Sequence, residues 1–421
     1  MLLPYTGASL AFTNVYDEVS KVPGSTRARA KLASTGLSYL DALAADETAP
    51  PDVRTEAGLG YIRLAQVIGG GQGSQLGRLQ DSNALLGKAE RILRPLWAAR
   101  PNDPAVRGAW AALLIEQAGV NLSNNNQIAL GRRQAIAAQR ALEGIARTGA
   151  VEARRYASAV QTEGDSYTWD GDYPKAKPVL LRGEAFIESL PADIQADPQV
   201  IEARSGNLRL LGEAHHKLKD ADAARTTLDR AVELNRTLVA SAPDDPNYVR
   251  KLAQSLWYRA VVHRTNYRDR LARTSIEESV ALARRLRERD PMDAGGAKMV
   301  SVAGEVYAQT LADAGRFRES YAVTDEVLAS HKRLIELAGD PVGALRSMAQ
   351  ALRTGGGNHY NGGDYPGACE KWRAALAVFA DLERRDALTE LDRKNSLREM
   401  QDYHRRSCQG GPPRAGMGKT L

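Results

Sequence analysis

The string Gly-Asp-Tyr-Pro occurs twice, at 171–174 and at 363–366, and the two copies lie 192 residues apart, four steps of 48. A step of 48 from Gly171 lands on Lys219, Tyr267, Gly315 and Gly363. Seven residues before each of these stands a small residue: Gly164, Gly212, Ala260, Ala308 and Gly356. Five residues after each stands another: Ala176, Ala224, Ala272, Ser320 and Ala368. A third column (Gly183, Ala231, Ser279, Val327, Ala375) is mostly small, and an apolar residue follows it at Val232, Val280, Leu328 and Leu376. A fixed period in this range marks a chain built from stacked units, none of which can bury its apolar face alone. This excludes most single-core folds before any motif is weighed.

Each unit reads as two helices. Apolar residues recur at spacings of three and four in "LRLLGEAHHKL" before a turn and in "AARTTLDRAVEL" after it. Alanine, leucine and arginine are abundant while aromatic residues make up 6%, with four Phe, which suits helix better than strand. Asp-Pro pairs separate the units at Asp103-Pro104, Asp197-Pro198, Asp245-Pro246, Asp290-Pro291 and Asp340-Pro341. Aspartate can accept from the orphan amides of a helix start, and proline fits the first turn. The small columns mark where two helices cross closely.

A small residue, then glycine and an aromatic at the turn, then alanine, resembles the tetratricopeptide repeat. That family's unit is about 34 residues, so the remaining residues of each 48-residue unit lengthen the helices. Shared between the two, they add about two turns, roughly 10 Å, to each. The resemblance implies an all-α fold, a right-handed superhelical α-solenoid of antiparallel helix hairpins. Five in-phase repeats are expected over 157–385. Hairpins of irregular phase precede them over 25–156, after an N-terminal segment 1–24. A capping helix over 386–408, apolar at Leu391, Leu397 and Met400, would close the array before a disordered tail, 409–421.

The N-terminal part carries Pro23-Gly24-Ser25-Thr26 opening a helix, Tyr39-Leu40-Asp41 at a helix end, and a Gly-rich loop over 69–77. In these it resembles the start of the tetratricopeptide region of bacterial transmembrane serine/threonine protein kinases. No kinase motif accompanies it: there is no HRD catalytic loop and no DFG.

Other motifs yield to plainer readings. "IGGGQGSQLG" has helical flanks where a dinucleotide loop needs a strand, so it reads as a flexible loop. "GMGKT" lacks the first glycine of a phosphate loop, the position being Pro413, and reads as tail. His215, His263 and His359 share one column, and residues of one column are translated along a solenoid, so they read as packing residues rather than ligands of one metal ion. The two cysteines, Cys369 and Cys408, make no CxxC and leave the redox state open.

The net charge is +6, and 250–289 alone holds 11 basic and 4 acidic residues. That stretch reads as a solvated arginine-rich face, or as a docking face for an acidic partner. Nucleic acid ranks lower, because no aromatic platform accompanies the charge. No run approaches the roughly 18 apolar residues of a membrane span, and the first residues lack a basic n-region, so a cytoplasmic protein is expected.

In the tetratricopeptide family the first helix of each hairpin lines the concave groove. Carried over, the groove positions are Gln161, Asp165, Arg209, Glu213, Trp257, Glu305, Gln309 and Arg353, with Arg264 beside them. Trp and Arg lead binding hot spots, although Trp257 could equally pack between long helices. The expected function is a non-catalytic scaffold or sensor that binds a peptide or protein segment in the groove, with no cofactor and no metal. The alternative is a regulatory region of a bacterial serine/threonine kinase system. A hydrolase or metal enzyme built on the histidine column ranks third.

Overall fold

The computed structural model describes residues 18–19, 22–45, 48–70, 75–123, 127–267, 270–337, 342–388, 393 and 397–409, and these contain helices and turns but no strand. Helix α1 (Thr26–Ala45) precedes the pair α2 (Pro51–Ala65) and α3 (Leu79–Ala99). The pairs α4 (Pro104–Ser123) and α5 (Ile128–Leu142), then α6 (Ala150–Trp169) and α7 (Tyr173–Glu188), follow. After the single turn α8 (Ala192–Gln195) come α9 (Pro198–Lys217) with α10 (Ala221–Ser241) and α11 (Pro246–Asn266) with α12 (Arg270–Arg289). The pairs α13 (Ala294–Asp313) with α14 (Phe317–Leu337) and α15 (Val342–Asn361) with α16 (Tyr365–Arg384) lead to a lone α17 (Arg398–Cys408). The helices from α9 to α16 are 20 or 21 residues long, each about 30 Å.

Local chemistry explains the hairpins. At the turns the backbone enters the left-handed region at Gly171 (φ 72°), Gly315 (73°) and Gly363 (78°), where a Cβ is costly, and Lys219 adopts φ 66° in the same column. The aspartate after each glycine of the repeated string starts the second helix. Asp172 accepts from the Lys175 amide (3.3 Å) and Asp364 from the Gly367 amide (3.0 Å), while Asp220 accepts from the Ala223 amide (3.2 Å). First helices are capped likewise, by Asp103 on Ala105 (3.0 Å), Asp197 on Gln199 (2.8 Å) and Asp245 on Asn247 (2.8 Å). Asp290 departs from this pattern. The helix begins four residues later, at Ala294, and Asp293 caps it through the Gly295 amide (2.9 Å). Asp340-Pro341 lies outside the described residues.

The small columns are notches. A Cβ on Gly212 would stand 2.5 Å from Leu228, and one on Gly164 would stand 2.5 Å from Leu180. Leu180, Leu228, Ile276, Thr324 and Trp372 form a further column at the same period, every member buried; Leu180, Leu228 and Trp372 close on Gly164, Gly212 and Gly356, and Thr324 on Gly355 of the next hairpin.

Each hairpin packs against the next in a fixed pattern. The first helices α2, α4, α6, α9, α11, α13 and α15 touch one another in succession. Each second helix meets its own partner and the first helix that follows. The row whose members meet directly follows the shorter path, so it is the inner side of the curve. The chain is an α-solenoid of antiparallel hairpins, as its sequence leads one to expect.

Both ends are fastened. Helix α17 lies on α16, with Met400 buried and Tyr403 against Trp372 (ring centroids 5.1 Å) and Tyr360 (5.9 Å). A disulfide joins Cys369 of α16 to Cys408 of α17. Leu391 and the 410–421 tail with its "GMGKT" lie outside the described residues. At the other end the array curls back on itself. The Thr26 amide donates to Asp290 (2.9 Å), the Gln75 amide to Asp293 (3.0 Å), and the Ala294 amide to the Gln75 carbonyl (2.8 Å). Val22, Pro23 and Gly24 sit beside Asp244, Pro246 and Arg289. The Gly-rich loop over 69–77 is therefore pinned at its described C-terminal end, where a freely moving loop was expected; residues 71–74 lie outside the described part. Tyr39-Leu40-Asp41 does not end α1, which runs on to Ala45.

Candidate binding site on the inner helices

Three of the expected groove residues come together. Asp165 of α6, Arg209 of α9 and Glu213 of α9 share one electrostatic cluster. The Arg209 guanidinium lies 4.7 Å from the centre of the Tyr258 ring, and the Tyr258 hydroxyl reaches the Glu213 carboxylate. Lys298 of α13 acts on Asp165 from three hairpins away, so the curl brings separated inner helices into mutual range. Lys251 of α11 adds a positive charge near Arg209 and pairs with Glu202 (3.8 Å). The indole of Trp169, at the end of α6, reaches Asp165, and the residue is 53% exposed.

The protonation equilibria are strained in matching directions. Burial pushes the carboxyls of Asp165 and Glu213 above the ordinary carboxylate range, and the charge of Arg209 offsets this only in part. Burial likewise pulls the ammonium groups of Lys251 and Lys298 below the usual lysine value, against Glu202 and Asp165 respectively. Asp165 keeps partial contact with water and Lys298 is exposed. Their crowding comes from a surrounding wall of protein rather than a sealed core, and solvent screens the pair. Asp165 accepts from the Thr168 hydroxyl (3.0 Å) and Glu213 from the Tyr258 hydroxyl, while Asp165 and Lys298 remain reachable from solvent.

The remaining groove positions are committed elsewhere. Gln161 packs against Gly206 of the next first helix. Trp257 lies partly buried against the cluster of Ala253, Ala260, Ile276 and Ala303, with Tyr258 at 4.4 Å between ring centroids. Arg264 pairs with Asp313 (2.7 Å), Glu305 meets His331 (3.3 Å), and Arg353 bonds Gln350 (3.0 Å). Gln309 stays half-buried on α13, one turn beyond Glu305.

The arginine-rich stretch is largely neutralised within the chain. Arg284 (2.6 Å) and Arg287 (3.0 Å) pair with Glu326, and Arg285 (2.7 Å) and Arg289 (2.6 Å) with Asp244. Arg250 pairs in the interior with Asp293. Arg284, Arg285, Arg287 and Arg289 keep contact with solvent and at the same time link successive hairpins through Glu326 and Asp244. The histidine column is likewise local. His359 bonds Asp364 (2.7 Å) and stacks on Tyr321 at 3.8 Å, while His215 faces Asp220 at 3.4 Å, each five residues ahead in its own turn. His263 is buried beside Tyr267.

Tyr258, Lys251, Lys298 and Trp169 were not among the expected positions. Each lies on a first helix, and a wider count of polar and aromatic residues on those helices would have included them.

The fold and site thus define a helical-hairpin solenoid with a charged inner face. No family model matches the chain, and no curated protein matches it. Solved structures with similarity include a Rap protein complexed with Competence and Sporulation Factor, at 10% identity over 96% of this chain and 100% of that one, TM-score 0.49. A monomeric mutant of IFIT1 with m7Gppp-AAAA is similar at 13% identity over 89% of this chain and 76% of that one, TM-score 0.46. BtubC from P. vanneervenii is similar at 16% identity over 62% of this chain and 92% of that one, TM-score 0.41. No helix among the described residues is long and apolar enough to cross a membrane.

Proposed function

We propose that this chain is a non-catalytic binding scaffold whose inner helices hold a peptide or protein segment carrying charged side chains. The observation that supports this is the cluster of Asp165, Arg209, Glu213, Tyr258 and Lys298. Four successive first helices contribute to it, and burial holds its carboxyls above the ordinary carboxylate range and its Lys298 ammonium below the usual lysine value. A ligand group of opposite sign would relieve that strain, so binding energy is available where the fold itself gives some up. Because the cluster carries both signs, it favours a mixed-charge segment over a purely acidic one. The alternative, a regulatory region of a serine/threonine kinase system, rests on the N-terminal resemblance and gains nothing from the inner face.

The test is a comparative capture. Proteins retained by the wild type and lost by an Arg209→Ala/Glu213→Ala variant of unchanged helicity are identified, and their segments are measured for binding in purified form. A retained set that is the same for both chains would move the binding surface elsewhere.

A further inference from the structure

The C-terminal latch carries more chemistry than a covalent link needs. One ligand atom from each of Cys369, His404 and Cys408 lies within 4.8 Å of the other two. His404 and Cys408 stand four residues apart on α17, which places both on one helix face toward α16. The His404 Nε2 atom is buried and has no hydrogen-bond partner among the described residues. Arg373, one turn beyond Cys369, donates to the Cys369 sulfur at 3.2 Å and lies 4.0 Å from that of Cys408. Cys369 is buried, while Cys408 is exposed and open to a reductant.

We propose that the reduced latch is a Cys2His site for a soft divalent ion of the zinc class. Two thiolates and an imidazole are the donors that select such an ion, and three protein ligands leave a fourth position for water. A dithiol reductant breaks the S–S bond, is itself oxidised to a cyclic disulfide, and leaves a proton on each cysteine sulfur. Binding of the ion then releases both protons to solvent. The Arg373 guanidinium favours the thiolates and, once the ion is bound, continues to donate to sulfur. The two cysteines therefore hold the cap helix by a disulfide under oxidising conditions, and together with His404 they hold it through a metal ion under reducing ones.

The experiment uses the intact chain, reduced with dithiothreitol, freed of it anaerobically, and titrated with Co2+. Reduced wild type is expected to bind one Co2+ with thiolate-to-cobalt charge-transfer absorption, which Zn2+ then abolishes. The oxidised chain and Cys408→Ser should show no such absorption. His404→Gln should bind at least tenfold more weakly, and His404→Cys, which keeps a soft donor, should restore the affinity. Circular dichroism of each variant separates lost binding from lost helix. Absence of the absorption in folded, reduced wild type would overturn the site, as would a His404→Gln titration that superimposes on the wild type.

Discussion

Lys219 stands where three of the equivalent turns have glycine, and it holds φ 66°. A side chain in the left-handed region costs roughly 1–2 kcal/mol, so Lys219→Gly is expected to stabilise the chain by about 1 kcal/mol, read as a raised thermal midpoint. Asp165 makes the opposite kind of prediction, one that depends on pH. Its folded-state pKa is raised, chiefly by burial, so the native state binds the proton more readily than the unfolded chain does. Below the ordinary carboxylate pKa both states are protonated and the residue is neutral in its effect. As pH rises through the raised pKa, ionisation comes to oppose folding. Asp165→Asn should therefore raise the melting temperature at pH 7 and leave it unchanged in strong acid. A gain that is equal at both pH values would show that crowding, not charge, is the cause.

Among the elements, the hairpin is where sequence and structure correspond most closely. The 48-residue period marks turn, notch and cap because each of these is a local demand for a small or turn-forming residue. Such demands recur as identity: Gly164, Gly212 and Gly356 repeat almost literally. The facing column does not stand out in the sequence because only its burial recurs from unit to unit, as Leu180, Leu228, Ile276, Thr324 and Trp372. Gly212→Val would push a side chain into Leu228 and is expected to cost about 1–3 kcal/mol, measurable by denaturant unfolding; an unchanged midpoint would mean that the helices part freely. Three of the five cluster residues, Asp165, Arg209 and Glu213, were expected from the resemblance to tetratricopeptide groove positions rather than from the period itself. Trp257 was not separable in this way, because a first-helix tryptophan can face the groove or the neighbouring helix. Here it leans on the core between α11 and α13, so truncating it carries a packing cost as well as any loss of binding. The arginine staples were invisible for a different reason, since their acidic partners lie roughly one repeat away, as Asp244 does from Arg285.

At the scale of the whole molecule, Asp293 joins the two ends of the curl. Its carboxylate caps α13, accepts from the Gln75 amide and pairs with the interior guanidinium of Arg250. Removing one member of a buried pair typically costs 3–5 kcal/mol. Asp293→Ala should therefore lower stability by about that amount, and hydrogen exchange should speed at the Gln75 amide. Exchange that changes at Gly295 but not at Gln75 would mean that the curl is held elsewhere.

That contact also changes how the chain can fold. A solenoid is ordinarily a one-dimensional problem, in which nucleation anywhere spreads to neighbours and every contact spans one unit. The Thr26–Asp290 hydrogen bond spans 264 residues, and a closure of that length adds an entropic barrier that local propagation never meets. Refolding should then run in two stages, helix formation that is fast and insensitive to Asp290, followed by a slower closing step that Asp290→Ala slows further, the Gln75–Asp293 and Ala294–Gln75 contacts remaining. The curled array pays in contact order for a property open arrays lack: its first and later hairpins report on one another's state.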